Sequence, residues 1–220
     1  HDLRAPLAAI MGYIEMLQLM APDNLPPQEL HSTLDRMASN VYYMTSLVNN
    51  LLGRAQIEAG MLRVLHTPFS PRDLVSEAIH SLLVLAEMKH LALEGTVDAG
   101  LPDMLRGDPH WLRHILANLV GNAIKYTTSG GVYVHARQTD PTHWALSVRD
   151  TGPGIPEQTR ATIFNPFRMG REEEDAHSGT GLGLSIVKQL VERMGGEVTL
   201  ESAEDQGSTF TVILPLDVAG

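Results

Sequence analysis

At 220 residues the chain has room for one or two domains and a real core, and 43% hydrophobic with 19% charged content is ordinary for a soluble globular protein. Sixteen Lys and Arg against 26 Asp and Glu leave a formal charge of −10, which repels phosphate polymers and disfavours nucleic-acid binding. Without cysteine there can be no disulfide or thiolate metal site, which fits a reducing compartment, and no apolar run is long enough to span a bilayer. There is no signal peptide, and the chain opens inside a helical pattern without an N-cap, as a fragment of something longer would.

That first pattern is a stripe of Leu3, Leu7, Ile10, Ile14 and Leu17, spaced 4-3-4-3. His1 lies two residues before a seam position and is predicted to face solvent, and Pro6 should bend the helix locally. After the loop "APDNLPPQ" the same spacing resumes at Leu30, Leu34, Met37, Val41, Met44, Val48, Leu51 and Ala55, a heptad seam. The two segments predict an antiparallel helical hairpin over residues 1–60. One hairpin cannot bury two such stripes, so a homodimeric four-helix bundle is expected.

From residue 61 to 220 the texture changes to mixed strands and helices. "LRVLHTPFSP" reads as a strand into a Pro-punctuated turn, 72–90 as a helix, "LALEGTV" as a strand and 109–127 as a helix. "GVYVHARQ" and "HWALSVRD" alternate as paired strands around "TDPT"; a helix at 181–194 precedes the strands "GEVTLES" and "STFTVILPL". The expected fold class is therefore α+β: a helical hairpin followed by one sheet with helices on one face.

Three stretches could carry chemistry. In "NLVGNAIKYT", Asn118 and Asn122 are four apart on one helical face, with Lys125 and Tyr126 a turn further on. An amide oxygen is a hard ligand suited to Mg²⁺, a lysine neutralises phosphate charge, and a tyrosine can contact a base or ribose. Helix-capping or core-satisfied amides would be the plainer use of either asparagine alone. In "VRDTGPGIP", Asp150 ends a strand, and Gly152 and Gly154 let a ligand approach the backbone. A carboxylate there accepts the exocyclic amine of adenine and rejects the carbonyl that guanine carries. "GTGLGLSIV" is a glycine-rich helix start able to hold an anion, yet it matches neither the dinucleotide fingerprint nor a P-loop.

In this order and at these separations, the chain from His1 to Leu216 resembles the catalytic core of a two-component sensor histidine kinase. "HDLRAPLAAI" is similar to the H box, "HILANLVGNAIKYT" to the N box, "DTGPGI" and "GTGLGL" to the two glycine boxes, and "FNPF" to the F box. "EAG" before the linker and "GDP" at 107–109 are lesser markers. The resemblance implies a dimerising hairpin joined to an α/β sandwich of the gyrase and histidine-kinase type, with ATP and Mg²⁺ as cofactors. It implies His1 as phosphoacceptor and Asp2 as the carboxylate that hydrogen-bonds its ring and takes its proton. By the same resemblance Asn122 is the Mg²⁺ ligand, Lys125 a phosphate contact, Tyr126 a nucleotide contact and Asp150 the adenine reader.

Within the matching boxes, Gly152, Gly154, Ile155, Gly179, Thr180, Gly181, Leu182, Gly183 and Leu184 are expected to shape the nucleotide pocket and the hinges of a lid running from Arg168 to Ser178. Phe164 and Phe167 are expected to anchor that lid, although core packing would also suit them, and Arg168 or Arg171 to reach the γ-phosphate. Asn118 stands where gyrase and mismatch-repair ATPases, which resemble this pocket, place a water-activating glutamate. An amide takes no proton, so Asn118 favours transfer to a protein nucleophile over hydrolysis. The implied partners are a second copy of the chain and the receiver domain of a response regulator. The implied location is the cytoplasm, or the cytoplasmic part of a membrane-anchored sensor.

Three positions depart from the family. Ala5 lacks the polar group often found there for removing phosphate from the partner; Trp111 replaces a common Arg and His114 a common Gln. Two other functions compete with the kinase: a nucleotide-binding scaffold that signals without transfer, and a hydrolytic ATPase of the gyrase type, which Asn118 and the heptad hairpin disfavour.

Overall fold

A computed structural model describes residues 4–19, 26–58, 63–166 and 181–219. The chain divides into two compact units, residues 1–55 and 56–220. No helix among the described residues is long and apolar enough to cross a membrane.

The first unit is helical, with α1 over Arg4–Leu19 and most of α2, which spans Pro27–Glu58. Pro6 is buried in the first turns of α1. His1, Asp2 and Leu3 lie outside the described residues, as does the connection at 20–25. The heptad seam is not where this protomer buries its side chains. Leu34, Val41 and Leu51 are 48%, 53% and 49% exposed, and Leu7 of α1 is 50% exposed. Among the described side chains of α2 the buried ones are instead Thr33, Asn40, Leu47 and Asn50, with Asn40 Nδ2 donating to the Arg36 carbonyl at 2.8 Å. An apolar stripe left open by its own chain has the form of a surface that needs a partner.

The second unit is built on a five-stranded sheet in the order β2-β4-β5-β7-β6, comprising β2 (Ala92–Val97), β4 (Gly131–Asp140), β5 (His143–Asp150), β6 (Glu197–Ser202) and β7 (Ser208–Pro215). β2 runs parallel to β4, and the other pairings are antiparallel. Three helices pack on the sheet: α3 (Pro71–Met88), α4 (Pro109–Tyr126) and α6 (Gly183–Arg193). Val132, Val134, Ala136, Leu146, Val148, Val212 and Leu214 are buried in alternation along the strands. Facing them, α4 buries Leu112, Ile115, Leu116, Leu119, Val120 and Ile124. The period of 2 in the strands and the near-3.6 period in the helix are what those sequences predict.

The one-sheet expectation needs correcting. A second, two-stranded sheet pairs β1 (Thr67–Phe69) with β3 (Leu105–Gly107). Of the stretch 62–71, read as a strand into a turn, the strand is only Thr67–Phe69, and before it the Leu65 N–H donates to Asp108 Oδ2 at 2.9 Å. A three-residue strand such as β3 carries no readable period. The β4–β5 turn is also tighter than "TDPT", since Asp140 still pairs with His143 across a register shift. A short helix, α5, spans Glu157–Arg160.

Both long helices before the nucleotide-box strands start from strong caps. Ser70 Oγ accepts from the Asp73 N–H at 3.2 Å, with Pro71 at the first helical position of α3. Asp108 is 2% exposed and accepts from the His110 and Trp111 N–H groups at 3.1 and 3.2 Å, with Pro109 following it. The marker "GDP" is therefore a helix start, tied also to the β1 side of the unit through Leu65.

Candidate nucleotide site

The site is read from α4 outward. Asn118, Asn122 and Lys125 are spaced by four and three residues and form one ridge of this helix. Asn118 Nδ2 donates to the His114 carbonyl at 3.0 Å. A carbonyl can only accept, so this bond fixes the amide orientation and turns Asn118 Oδ1 away as a free acceptor. The amide of Asn122 makes no hydrogen bond among the described residues. Lys125 Nζ sits 3.3 Å from the Tyr126 hydroxyl and 4.8 Å from the centre of its ring, and Tyr126 is 52% exposed. This ridge thus carries two amides, an ammonium and an aromatic side by side, while the opposite face of the helix packs inward.

Asp150 ends β5 and is 7% exposed. Its Oδ1 accepts from the Gly152 N–H at 2.8 Å and the Ser208 N–H at 3.2 Å. Burial pushes the carboxyl above its ordinary value, and the two amide hydrogen bonds work against that rise. Oδ2 takes no hydrogen bond among the described residues and remains an acceptor for a ligand. Gly152 has no room for a side chain: a Cβ would stand 2.9 Å from Asp150 Oδ1, 3.3 Å from Thr127 Oγ1 and 3.3 Å from the Tyr126 carbonyl. The end of α4 and the end of β5 therefore meet at this glycine.

Gly154 has φ +72°, and a Cβ there would reach 1.9 Å from the Ala203 carbonyl, so only glycine fits. The loop is fastened to the β6–β7 turn. The Ile155 N–H donates to Ser202 Oγ at 2.8 Å, Ser202 and Ser208 hydroxyls are 3.0 Å apart, and the Asp205 N–H donates to the Pro153 carbonyl at 2.7 Å. Thr151 closes the other side, its Oγ1 accepting from the Gly131 N–H and donating to the Ser129 carbonyl.

α6 begins at Gly183, after Leu182 and after Gly181 with φ +66°. Its first N–H groups have no intrahelical acceptor, as at any helix start, and α6 packs against α4. Leu182 is buried, and Ser185 Oγ donates to its carbonyl at 2.7 Å. Phe164 packs edge-on against Phe210 with ring centres 6.2 Å apart, so core packing is at least part of its use. Phe167, Arg168, Arg171, Gly179 and Thr180 lie outside the described residues, as do His1 and Asp2.

The donor set fits the groups the resemblance implies. Two half-buried amides on one helix ridge, with acceptor oxygens not used by the described residues, suit a hard cation that keeps its own waters. A buried carboxylate with one free oxygen suits an exocyclic amine. Thr127 Oγ1 is fully buried with no hydrogen-bond partner among the described residues, and like Asp150 Oδ1 it borders Gly152. Sequence reading missed Thr127, Ser202 and Ser208. Thr127 directly follows the quoted ridge and could have been found there; the two serines carry no local signal.

Residues 107–218, more than half of the chain, match the family of Histidine kinase-, DNA gyrase B-, and HSP90-like ATPases. The chain belongs to that family. Residues 1–60 match the His Kinase A (phospho-acceptor) domain. The sensor histidine kinase RcsC of Escherichia coli strain K12 is 34% identical over 98% of the chain, which spans 22% of RcsC. Among solved structures, full-length ShkA in complex with AMPPNP is 30% identical with a TM-score of 0.72, covering 100% of this chain and 45% of its own. The histidine kinase ThkA in complex with the response regulator protein TrrA is 25% identical with a TM-score of 0.63, covering 98% of this chain and 59% of its own. With both matches in this order, the chain is a two-component histidine kinase catalytic core. Asp150, Gly152, Gly154 and the α4 ridge of this kinase core all fall within the residues matched to that family.

Proposed function

We propose that this kinase core binds Mg-ATP, transfers the γ-phosphoryl group to its own His1 and passes it on to an aspartate of a response regulator. The observation that carries the reading is the buried Asp150 carboxylate, held by two amides with its second oxygen free, beside a helix ridge of amides and a lysine. The reading divides the chain into a dimerisation and phosphotransfer part over 1–60 and an ATP-binding part over 61–220. It sets the protein to work where ATP is available, in the cytoplasm, and in pairs through the open heptad seam.

Asp150 Oδ2 accepts the adenine amine, and Tyr126 covers the base or ribose. Lys125 offsets phosphate charge, and the amides of Asn122 and Asn118 hold the cation. Mg²⁺, when bound, draws charge from the phosphate oxygens and steadies the triphosphate. Asp2 fixes the tautomer of His1 by accepting from one ring nitrogen, leaving the other as nucleophile. A nitrogen–phosphorus bond forms as the bond from the γ-phosphorus to the bridging oxygen breaks, ADP departs, and the ring proton passes to Asp2. Asn118 provides no base for water, which keeps the phosphoryl group for the imidazole. The ShkA complex with AMPPNP and the ThkA complex with TrrA support the nucleotide and the partner by likeness.

A chain extended upstream of His1 is incubated with γ-labelled ATP and Mg²⁺. Acid-labile, base-stable label is expected, lost in His1→Gln and in Asn122→Ala. Nucleotide bound without label would point to a scaffold, and rapid release of free phosphate to a hydrolytic ATPase.

A further inference from the structure

Lys89 stands at the C-cap of α3, outside every box quoted from the sequence. Its ammonium donates to three carbonyls at the end of α4: Ile124 at 2.9 Å, Lys125 at 2.6 Å and Thr127 at 3.4 Å. A helix finishes with carbonyls that have no intrahelical donor, and here the Thr127 N–H serves only that of Ala123. No glycine closes this end: Thr127 is extended, with φ −85° and ψ 130°. The capping that a left-handed glycine would give is supplied by a cation from another helix.

The location gives that choice a consequence. The carbonyl end of a helix carries about half a negative charge, felt within its last turn. Asn122 and Lys125, the residues assigned to the cation and the phosphates, lie in or next to the last turn of α4, which ends at Tyr126. An anionic ligand settling there meets an unfavourable pole unless something neutralises it. Lys125 is the residue assigned to the phosphates, and its ammonium lies over the Tyr126 ring while that of Lys89 meets the carbonyls. Partial burial, and then the charge of Lys125, hold Lys89 below the ordinary lysine value. Its three carbonyl acceptors keep the proton in use.

We propose that Lys89 is a positioning residue for nucleotide binding: it acts through α4, cancelling the negative pole at the carbonyl end so that a polyphosphate can lie along the last two turns. This deepens the Mg-ATP reading and rests on it. Lys89 also steadies the Lys125–Thr127 segment, of which the Tyr126 carbonyl and Thr127 Oγ1 face Gly152.

The test compares Lys89→Gln, which keeps donors without charge, and Lys89→Arg, which keeps both, in calorimetric titrations with MgADP and with adenosine. Lys89→Gln is expected to weaken MgADP about tenfold while adenosine changes less than about twofold, and Lys89→Arg to restore MgADP to within about threefold. Equal losses for MgADP and adenosine, or unchanged MgADP binding, would overturn the proposal. Should Lys89→Gln not fold, the Arg variant decides by the salt dependence of MgADP binding, which must match the unaltered chain. Failure of the unaltered chain to bind MgADP would instead bring down the nucleotide reading itself, and the two failures are told apart by that control.

Discussion

At the scale of single residues, Asp150 concentrates the chemistry of the site. Its folded-state pKa lies above the ordinary carboxylate value because burial outweighs the two amide hydrogen bonds. A raised value means that the folded protein favours the protonated acid. That contribution to stability is full below the unfolded pKa and is lost as pH rises through the folded one. Asp150→Asn therefore raises the neutral-pH melting temperature, read by calorimetry, while weakening ATP at least about a hundredfold, because an amide nitrogen then meets the adenine amine. The same variant should lose far less for inosine triphosphate, whose ring carbonyl accepts from that nitrogen. In the unaltered chain, ATP affinity falls as pH drops through the raised pKa. Asp150 was legible in sequence because a strand-end carboxylate followed by two close glycines is a local pattern. Thr127 stands beside the ridge in sequence, but the burial of its hydroxyl without a partner is a property of the packed site.

At the scale of elements, α4 is the spine on which the site depends, and both of its ends are held from a distance. Asp108 caps its start and also accepts from Leu65, and Lys89 closes its finish. Removing the cap strands two helix amides and the Leu65 N–H. Asp108→Ala should cost about 2 kcal/mol, a fall of about 4–8 °C in a thermal melt, and weaken ATP because the ridge loses its anchor. An unchanged melting temperature would show that the cap is dispensable. The helix itself was readable from its apolar period, whereas "GDP" was noted only as a family marker although Asp108 before Pro109 is a local helix-start signal. β3 was not readable, being three residues long and defined only by its pairing with β1.

At the scale of the molecule, two units share one chain, and the first leaves its apolar seam open. In a symmetric dimer each seam residue is buried twice, so a single substitution counts twice. Val41→Asp should weaken self-association at least about a hundredfold by sedimentation equilibrium and leave the melting of the 56–220 unit unchanged. A dimer of undiminished strength would mean that the chain pairs through another face. The net charge of −10 agrees with a phosphate site built locally, as proposed, rather than from a basic surface.

By itself the sequence determined the long helices and the strands of the main sheet, the heptad seam and the ordered boxes that mark a histidine kinase core. Each of these is encoded within a few neighbouring residues, by period or by glycine spacing. Only the tertiary structure decided that the Ser208 amide, 58 residues away, holds Asp150, and that Lys89 grips carbonyls 35 to 38 residues further on. Those contacts follow from sheet register and helix packing, and no single residue carries a local sign of which distant backbone group it will meet.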